Sequence, residues 1–236
     1  MPKALGIDIG GTYIKAGFVD KRGKLYEHTK VLTEAKKGTN KVIENIISLI
    51  EKLGPKEIRA IGVGIPGSVD ISKGVIINTP NLPLHGIHIQ EILKKHFKKK
   101  VKIENDANCF GIAEAKAGNG SKFQNVLCLT LGTGIGSAMI MKKKLYKGRG
   151  NAPELGHTII HFKGLPCKCG VQGCVEEYIS TRGLLRIAKN KGLKVKDTFD
   201  IFLAAERHNR KAIQIFEIYG EILGIVLANF VNTFDP

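Results

Sequence analysis

Four groups of residues in this 236-residue sequence have the types and spacing to do chemistry. The first is Asp8-Ile9-Gly10-Gly11-Thr12, an acidic side chain at the end of an apolar run, followed by glycines that let backbone N–H groups approach an anion closely. Phosphate is the natural occupant. Asp8 could organise Mg²⁺ through waters, since that ion takes one or two carboxylates plus substrate phosphates, and Lys15 could add positive charge. By itself such a turn is also an ordinary hairpin. The second group, Gly132-Thr133-Gly134-Ile135-Gly136, repeats the pattern, and two such turns can grip one polyphosphate from opposite sides. Neither is a dinucleotide fingerprint, because each leads into a strand pattern rather than a helix.

The third group is Glu104-Asn105-Asp106, between a short apolar strand and a helical pattern. Asp106 at a helix start is either a capping residue or a general base aimed at a substrate hydroxyl, with Asn105 bonding a neighbouring hydroxyl. The fourth is His157 with Cys167, Cys169 and Cys174. One imidazole and three thiolates fill the four positions of a closed zinc site, and the intervening glycines allow the tight backbone that the spacing demands. His157 could offer its second ring nitrogen to a sugar hydroxyl while the metal fixes its tautomer. Glu154 and Glu176 flank the knuckle as hydroxyl acceptors or as solvated carboxylates, and Cys109 and Cys128 read as buried thiols.

The elements that must position these groups follow from periodicity. Residues 3–9, 13–20 and 24–31 read as a strand meander, 39–53 as an amphipathic helix on Val42, Ile46 and Ile50, and 58–65 as a strand ending at Pro66-Gly67. A second helix rests on Ile89, Leu93 and Phe97. Strands are then expected near 125–131, 135–141 and 156–162, and helices near 175–190, 197–206 and 210–232. Leu5 to Ala16 overlays Leu127 to Ala138, so the second half restarts the first. Two related α/β domains facing across a cleft are expected.

Composition narrows the partners. Net charge is +16, but the lysines gather at a helix end (Lys94 to Lys102) and in a hairpin turn (Lys142 to Lys144), with no aromatic platform among them. A solvated surface is expected rather than a nucleic-acid face. There is no run of 18 apolar residues and no secretory signature at the start, so the expectation is a cytoplasmic protein with reduced cysteines and no membrane contact.

Together the motifs resemble the ROK family of repressors and sugar kinases, within the actin-like ATPase superfamily. The resemblance runs through Asp8-Ile-Gly-Gly-Thr, Glu104-Asn-Asp, Leu131-Gly-Thr-Gly-Ile-Gly and the stretch from Glu154 to Glu176. It implies two actin-like (ribonuclease H-like) α/β domains, here 1–105 and 106–236, with a zinc knuckle at 157–174. It implies ATP and Mg²⁺ at Asp8, Gly10, Gly11, Thr12, Lys15, Gly132, Thr133 and Gly134. A hexose would lie against Gly67, Asn81, Asn105, Asp106, Glu154, His157 and Glu176, with Asp106 as base, and the protein would be a homodimer. The implied reaction is phosphorylation of a hexose 6-hydroxyl, glucose first, with N-acetylmannosamine, N-acetylglucosamine, mannose or fructose as alternatives. A repressor or a sugar binder without turnover are the rival readings. The family's further strand and Gly-Gly-Gly turn over the adenosine is expected after Pro236 and is not in the sequence, while the repressors' helix-turn-helix is not seen before the first strand.

Overall fold

The computed structural model describes residues 3–54, 58–150 and 152–236. The chain forms two compact units, Met1–Phe123 with Arg149–Asn151, and Gln124–Gly148 with Ala152–Pro236.

The first unit is built on strands β1 (Lys3–Ile9), β2 (Tyr13–Val19), β3 (Leu25–Leu32), β4 (Ile58–Ile65) and β7 (Lys100–Asn105), in the order β3-β2-β1-β4-β7. The meander β1 to β3 is antiparallel, while β4 runs parallel to both β1 and β7. A small ribbon of β5 (Ser68–Asp70) and β6 (Val75–Asn78) stands apart. Side chains alternate across a strand. In β1, Leu5, Ile7 and Ile9 are therefore buried while Asp8 is on the other face. The buried face packs with helix α1 (Thr39–Lys52), through Val42, Ile46, Leu49 and Ile50, and with α2 (Ile89–Phe97), through Ile89 and Leu93.

Helix α3 (Asp106–Ala117) leaves β7 and packs against β4 and β7. The expected boundary at 105/106 thus falls inside the first compact unit, which continues to Phe123.

In the second unit, β8 (Val126–Leu131), β9 (Ile135–Met141) and β10 (Lys144–Tyr146) form an antiparallel sheet in the order β10-β9-β8. That order copies β3-β2-β1, as the internal repeat in the sequence requires. The strand expected near 156–162 does not form. Leu155–His157 is a single 3-10 turn, and Ile159 makes only an isolated bridge to Cys174. The helix expected over 175–190 breaks into α4 (Glu176–Ile179) and α5 (Thr181–Asn190), because Ser180 turns extended and accepts a hydrogen bond from Gly183 N–H as a cap.

Helices α6 (Thr198–Glu206) and α7 (Arg210–Phe234) complete the unit. By length and composition α7 is apolar enough to cross a membrane. It carries Glu217 and Glu221, however, and it packs on α4, α5 and α6 with Ala212, Ile215, Val226 and Phe230 buried.

Candidate active site and metal cluster

In the first unit the register of three parallel strands brings the chemistry to one edge. Asp8 lies opposite Gly64, and Gly64 opposite Glu104, so the ends of β1, β4 and β7 are level. Gly64 leaves room for α3: a Cβ there would sit 3.5 Å from Cys109 Sγ and 3.7 Å from Asp106 Cα. Asp106 therefore starts its helix directly above the strand next to Asp8.

Asp106 is half-buried, and its Oδ1 accepts the Ala107 N–H at 2.9 Å. Burial lifts its carboxyl above the ordinary carboxylate value, and the nearby Asp8 charge pushes the same way. The residue that caps α3 is Asn105, whose Oδ1 accepts from Asn108 N–H at 3.0 Å. Its Nδ2 donates to the Gly67 carbonyl at 3.1 Å. Gly67 sits so close to the next turn that a Cβ would lie 2.3 Å from Asn78 O, and a Cβ on Gly11 would lie 3.8 Å from Asn81 Cβ in that turn. Asn105, next to Asp106 in sequence, is thus bonded to Gly67, and Asn81 belongs to the turn packed on Gly67, all within one unit. Cys109 beside them has its thiol pushed up to about 12, first by burial and then by Glu104, Asp106 and Asp8.

The Gly10-Gly11-Thr12 turn is closed by Gly10 N–H to Tyr13 O at 2.9 Å, and the hydroxyl of the buried Thr33 holds Gly10 O at 2.6 Å. Lys15 pairs in register with Asp8 and approaches its carboxylate to 3.6 Å, both side chains being more than half exposed.

In the second unit the matching hairpin is held by Gly132 N–H to Gly134 O at 3.0 Å. The turn bearing Glu154 and His157 is fastened to β9 by Ser137, whose Oγ donates to Pro153 O at 2.6 Å and accepts Leu155 N–H at 3.0 Å. Glu154 is exposed and His157 is half-buried. Glu176 does not stand open toward solvent: its Oε2 accepts the Ile135 N–H at 2.9 Å, and its Oε1 faces Arg182 Nη2 at 3.3 Å.

The ligand atoms of His157, Cys167, Cys169 and Cys174 all lie within 4.8 Å of one another. Cys169 and Cys174 sulfurs are 3.5 Å apart, and Cys167 Sγ is 3.6 Å from His157 Nδ1. A tetrahedron with zinc–sulfur and zinc–nitrogen bonds has edges of roughly 3.8 and 3.6 Å, so the donor set fits that metal. The knuckle backbone folds on itself through Cys167 N–H to Val171 O at 2.8 Å and Gly170 N–H to Cys167 O at 3.0 Å. Nδ1 of His157 faces the cluster, which leaves Nε2 for another partner.

Sequence reasoning missed Thr181 and Arg182. Thr181 holds the hairpin carbonyl of Gly132 through both its N–H, at 2.8 Å, and its hydroxyl, at 2.9 Å. The available signal was an arginine in the first turn of a helix, where the helix dipole disfavours it unless carboxylates such as Glu176 and Glu177 stand close.

Repeated antiparallel glycine hairpins, the first on a mixed sheet and the second on an antiparallel one, with an aspartate opening the helix after β7, are the features of an actin-like fold. The chain belongs to the ROK family, whose model matches residues 4–236. It is similar to the glucokinase of Thermotoga maritima, with 32% identity over 99% of this chain and 79% of that protein. A xylose repressor of Caldicellulosiruptor bescii shares 30% identity over 98% of this chain and 63% of the repressor. Among solved structures, a ROK family glucokinase from Streptomyces griseus in complex with glucose and AMPPNP superposes with a TM-score of 0.85 and 31% identity, covering 99% of this chain and 80% of that one.

Proposed function

We propose that this chain transfers a phosphoryl group from ATP to the 6-hydroxyl of an aldohexose, with glucose as the first choice. The observation that carries the reading is the setting of Asp106, a half-buried carboxylate at the start of α3 with a raised pKa and Asp8 beside it. A carboxylate made more basic by its surroundings is a better acceptor for the proton of an attacking hydroxyl, a contribution of about 10² to 10⁴ in rate. The likeness to sugar kinases supports it.

In this reading Gly67, Asn81 and Asn105 hold the sugar beside Asp106, while Glu154, His157 and Glu176 supply its remaining hydroxyl partners. Asn105 keeps one amide hydrogen for the sugar after donating the other to Gly67 O. The turns at Gly10-Gly11-Thr12 and Gly132-Thr133-Gly134 take the ATP phosphates. Asp8 would hold Mg²⁺, which neutralises charge on the transferred group when bound, and Lys15 adds a cation beside it. His157, Cys167, Cys169 and Cys174 would hold zinc, which fixes the imidazole and hence the direction of its free nitrogen.

The test is sugar-dependent ADP formation from Mg·ATP across glucose, mannose, fructose, N-acetylglucosamine and N-acetylmannosamine. Turnover with glucose, reduced at least about 100-fold in Asp106→Ala, is expected. No turnover with any sugar would overturn the reading. The likeness to a xylose repressor supports a second one, a sugar binder without turnover, and calorimetric binding of a sugar in the absence of ADP formation would favour it.

A further inference from the structure

We propose that Arg182 is a positioning residue: through Glu176 it fixes the sugar-side carboxylate onto the second glycine hairpin, so that the two are held as one piece. The first turn of α5 grips that hairpin twice. Thr181 takes the Gly132 carbonyl directly. Arg182 works through an intermediary, its Nη2 lying 3.3 Å from Glu176 Oε1, while Glu176 Oε2 accepts the Ile135 N–H at 2.9 Å. Gly134 is packed under the same carboxylate, since a Cβ there would lie 2.6 Å from Glu176 Oε2.

Charge explains why an arginine is needed. The Glu176 side chain is 16% exposed and that of Glu177 only 6%, so two adjacent carboxylates are withdrawn from water together. Arg182 Nη2 also reaches Glu177 Oε1 at 3.1 Å, and Arg186 completes the balance through Glu177 Oε2 at 3.2 Å and the Glu177 carbonyl at 2.8 Å. Of the two arginines, Arg182 is the one that bonds Glu176. Its Nε is buried with no hydrogen-bond partner among the described residues, a cost accepted where the terminal nitrogens are well used. Removing Arg182 leaves Glu176 without a counter-charge while Arg186 still balances Glu177, and Glu176 then swings away from Ile135 toward water.

The kinetic consequence rests on the kinase reading; the structural one does not. In Arg182→Leu, loss of the charge-assisted hydrogen bond to Glu176 should raise the sugar KM about tenfold while kcat changes less than about threefold. Exchange of the Ile135 amide hydrogen, followed by NMR, should accelerate at least about tenfold in the same variant. Arg182→Lys should recover most of both effects. Arg186→Leu, which touches Glu177 alone, should leave both within about twofold. If Arg182→Leu fails to fold, Arg182→Gln carries the same two measurements. An unchanged sugar KM, a raised KM with Ile135 exchange unaltered, or an equal effect from Arg186→Leu would each overturn the proposal. Should the parent chain turn over no hexose, the kinase reading falls alone, and Ile135 exchange still decides the role of Arg182.

Discussion

Gly173→Ala, set against Gly170→Ala, tests whether the knuckle is the closed metal site its donor atoms outline. Both glycines have positive φ, +82° at Gly173 and +97° at Gly170. An alanine in such a conformation costs about 1–2 kcal/mol. They differ in the space around them. A Cβ at Gly173 would lie 1.9 Å from the His161 carbonyl oxygen, whereas one at Gly170 meets no atom within 4 Å. Nor can Gly173 step aside, since its N–H donates to Leu165 O at 2.8 Å and its carbonyl accepts Ile160 N–H at 2.9 Å. Overpacking of this kind adds about 1–3 kcal/mol, giving roughly 2–5 kcal/mol in total for Gly173→Ala. Because closing the knuckle and binding its metal are coupled, the cost is read as lost zinc affinity at about 1.4 kcal/mol per decade. Gly170→Ala should therefore weaken zinc about tenfold, and Gly173→Ala roughly 30- to 3,000-fold. Competition with a chromogenic chelator at fixed pH measures both. A Gly173→Ala affinity within threefold of the parent, or equal losses in the two variants, would refute the reasoning.

Asp106→Asn should raise the melting temperature at pH 7, because the folded chain holds the Asp106 proton more tightly than the unfolded one and ionising it there costs stability. The gain should vanish below about pH 4, where both states are protonated, and thermal unfolding at the two pH values checks it. In the parent chain, kcat/KM should fall as pH drops through the raised pKa of Asp106, read from a pH–rate profile. Asn105→Ala removes the cap of α3 and the tether to Gly67, so it should cost about 1 kcal/mol in thermal unfolding and raise the sugar KM. Cys109, its thiol pushed up to about 12, should react with iodoacetamide at pH 8 about a thousandfold more slowly than a free cysteine, as followed by peptide mass spectrometry.

The first meander and the first two strands of the second were legible because Gly10 and Gly132 punctuate matching apolar runs, whereas the short third strand at Lys144–Tyr146 was not expected. The knuckle was legible because Cys167, Cys169 and Cys174 are too near in sequence to scatter, leaving His157 as the long-range member. Residues 156–162 misled, since their alternation belongs to a segment that folds around the glycine-rich knuckle and has no neighbouring strand beyond one bridge at Ile159. Ser180 hid a helix break because its role depends on where Gly183 lies. The engagement of Glu176 with Ile135 joins residues 41 positions apart, and only the tertiary fold could reveal it.

The mixed pairing of the first sheet carries a kinetic consequence. Ile9 meets Ile14 after a short turn, but Leu5 meets Ile61 only after α1 has formed between them. Closing such a parallel pair spends chain entropy before any contact repays it, so the meander should organise early and the β1–β4 and β4–β7 seams late. Asp8 rides on the early element, whereas Asp106 follows the last strand to join. During refolding, strand signal should therefore appear before the two carboxylates become neighbours, and the chain acquires its shape ahead of its chemistry.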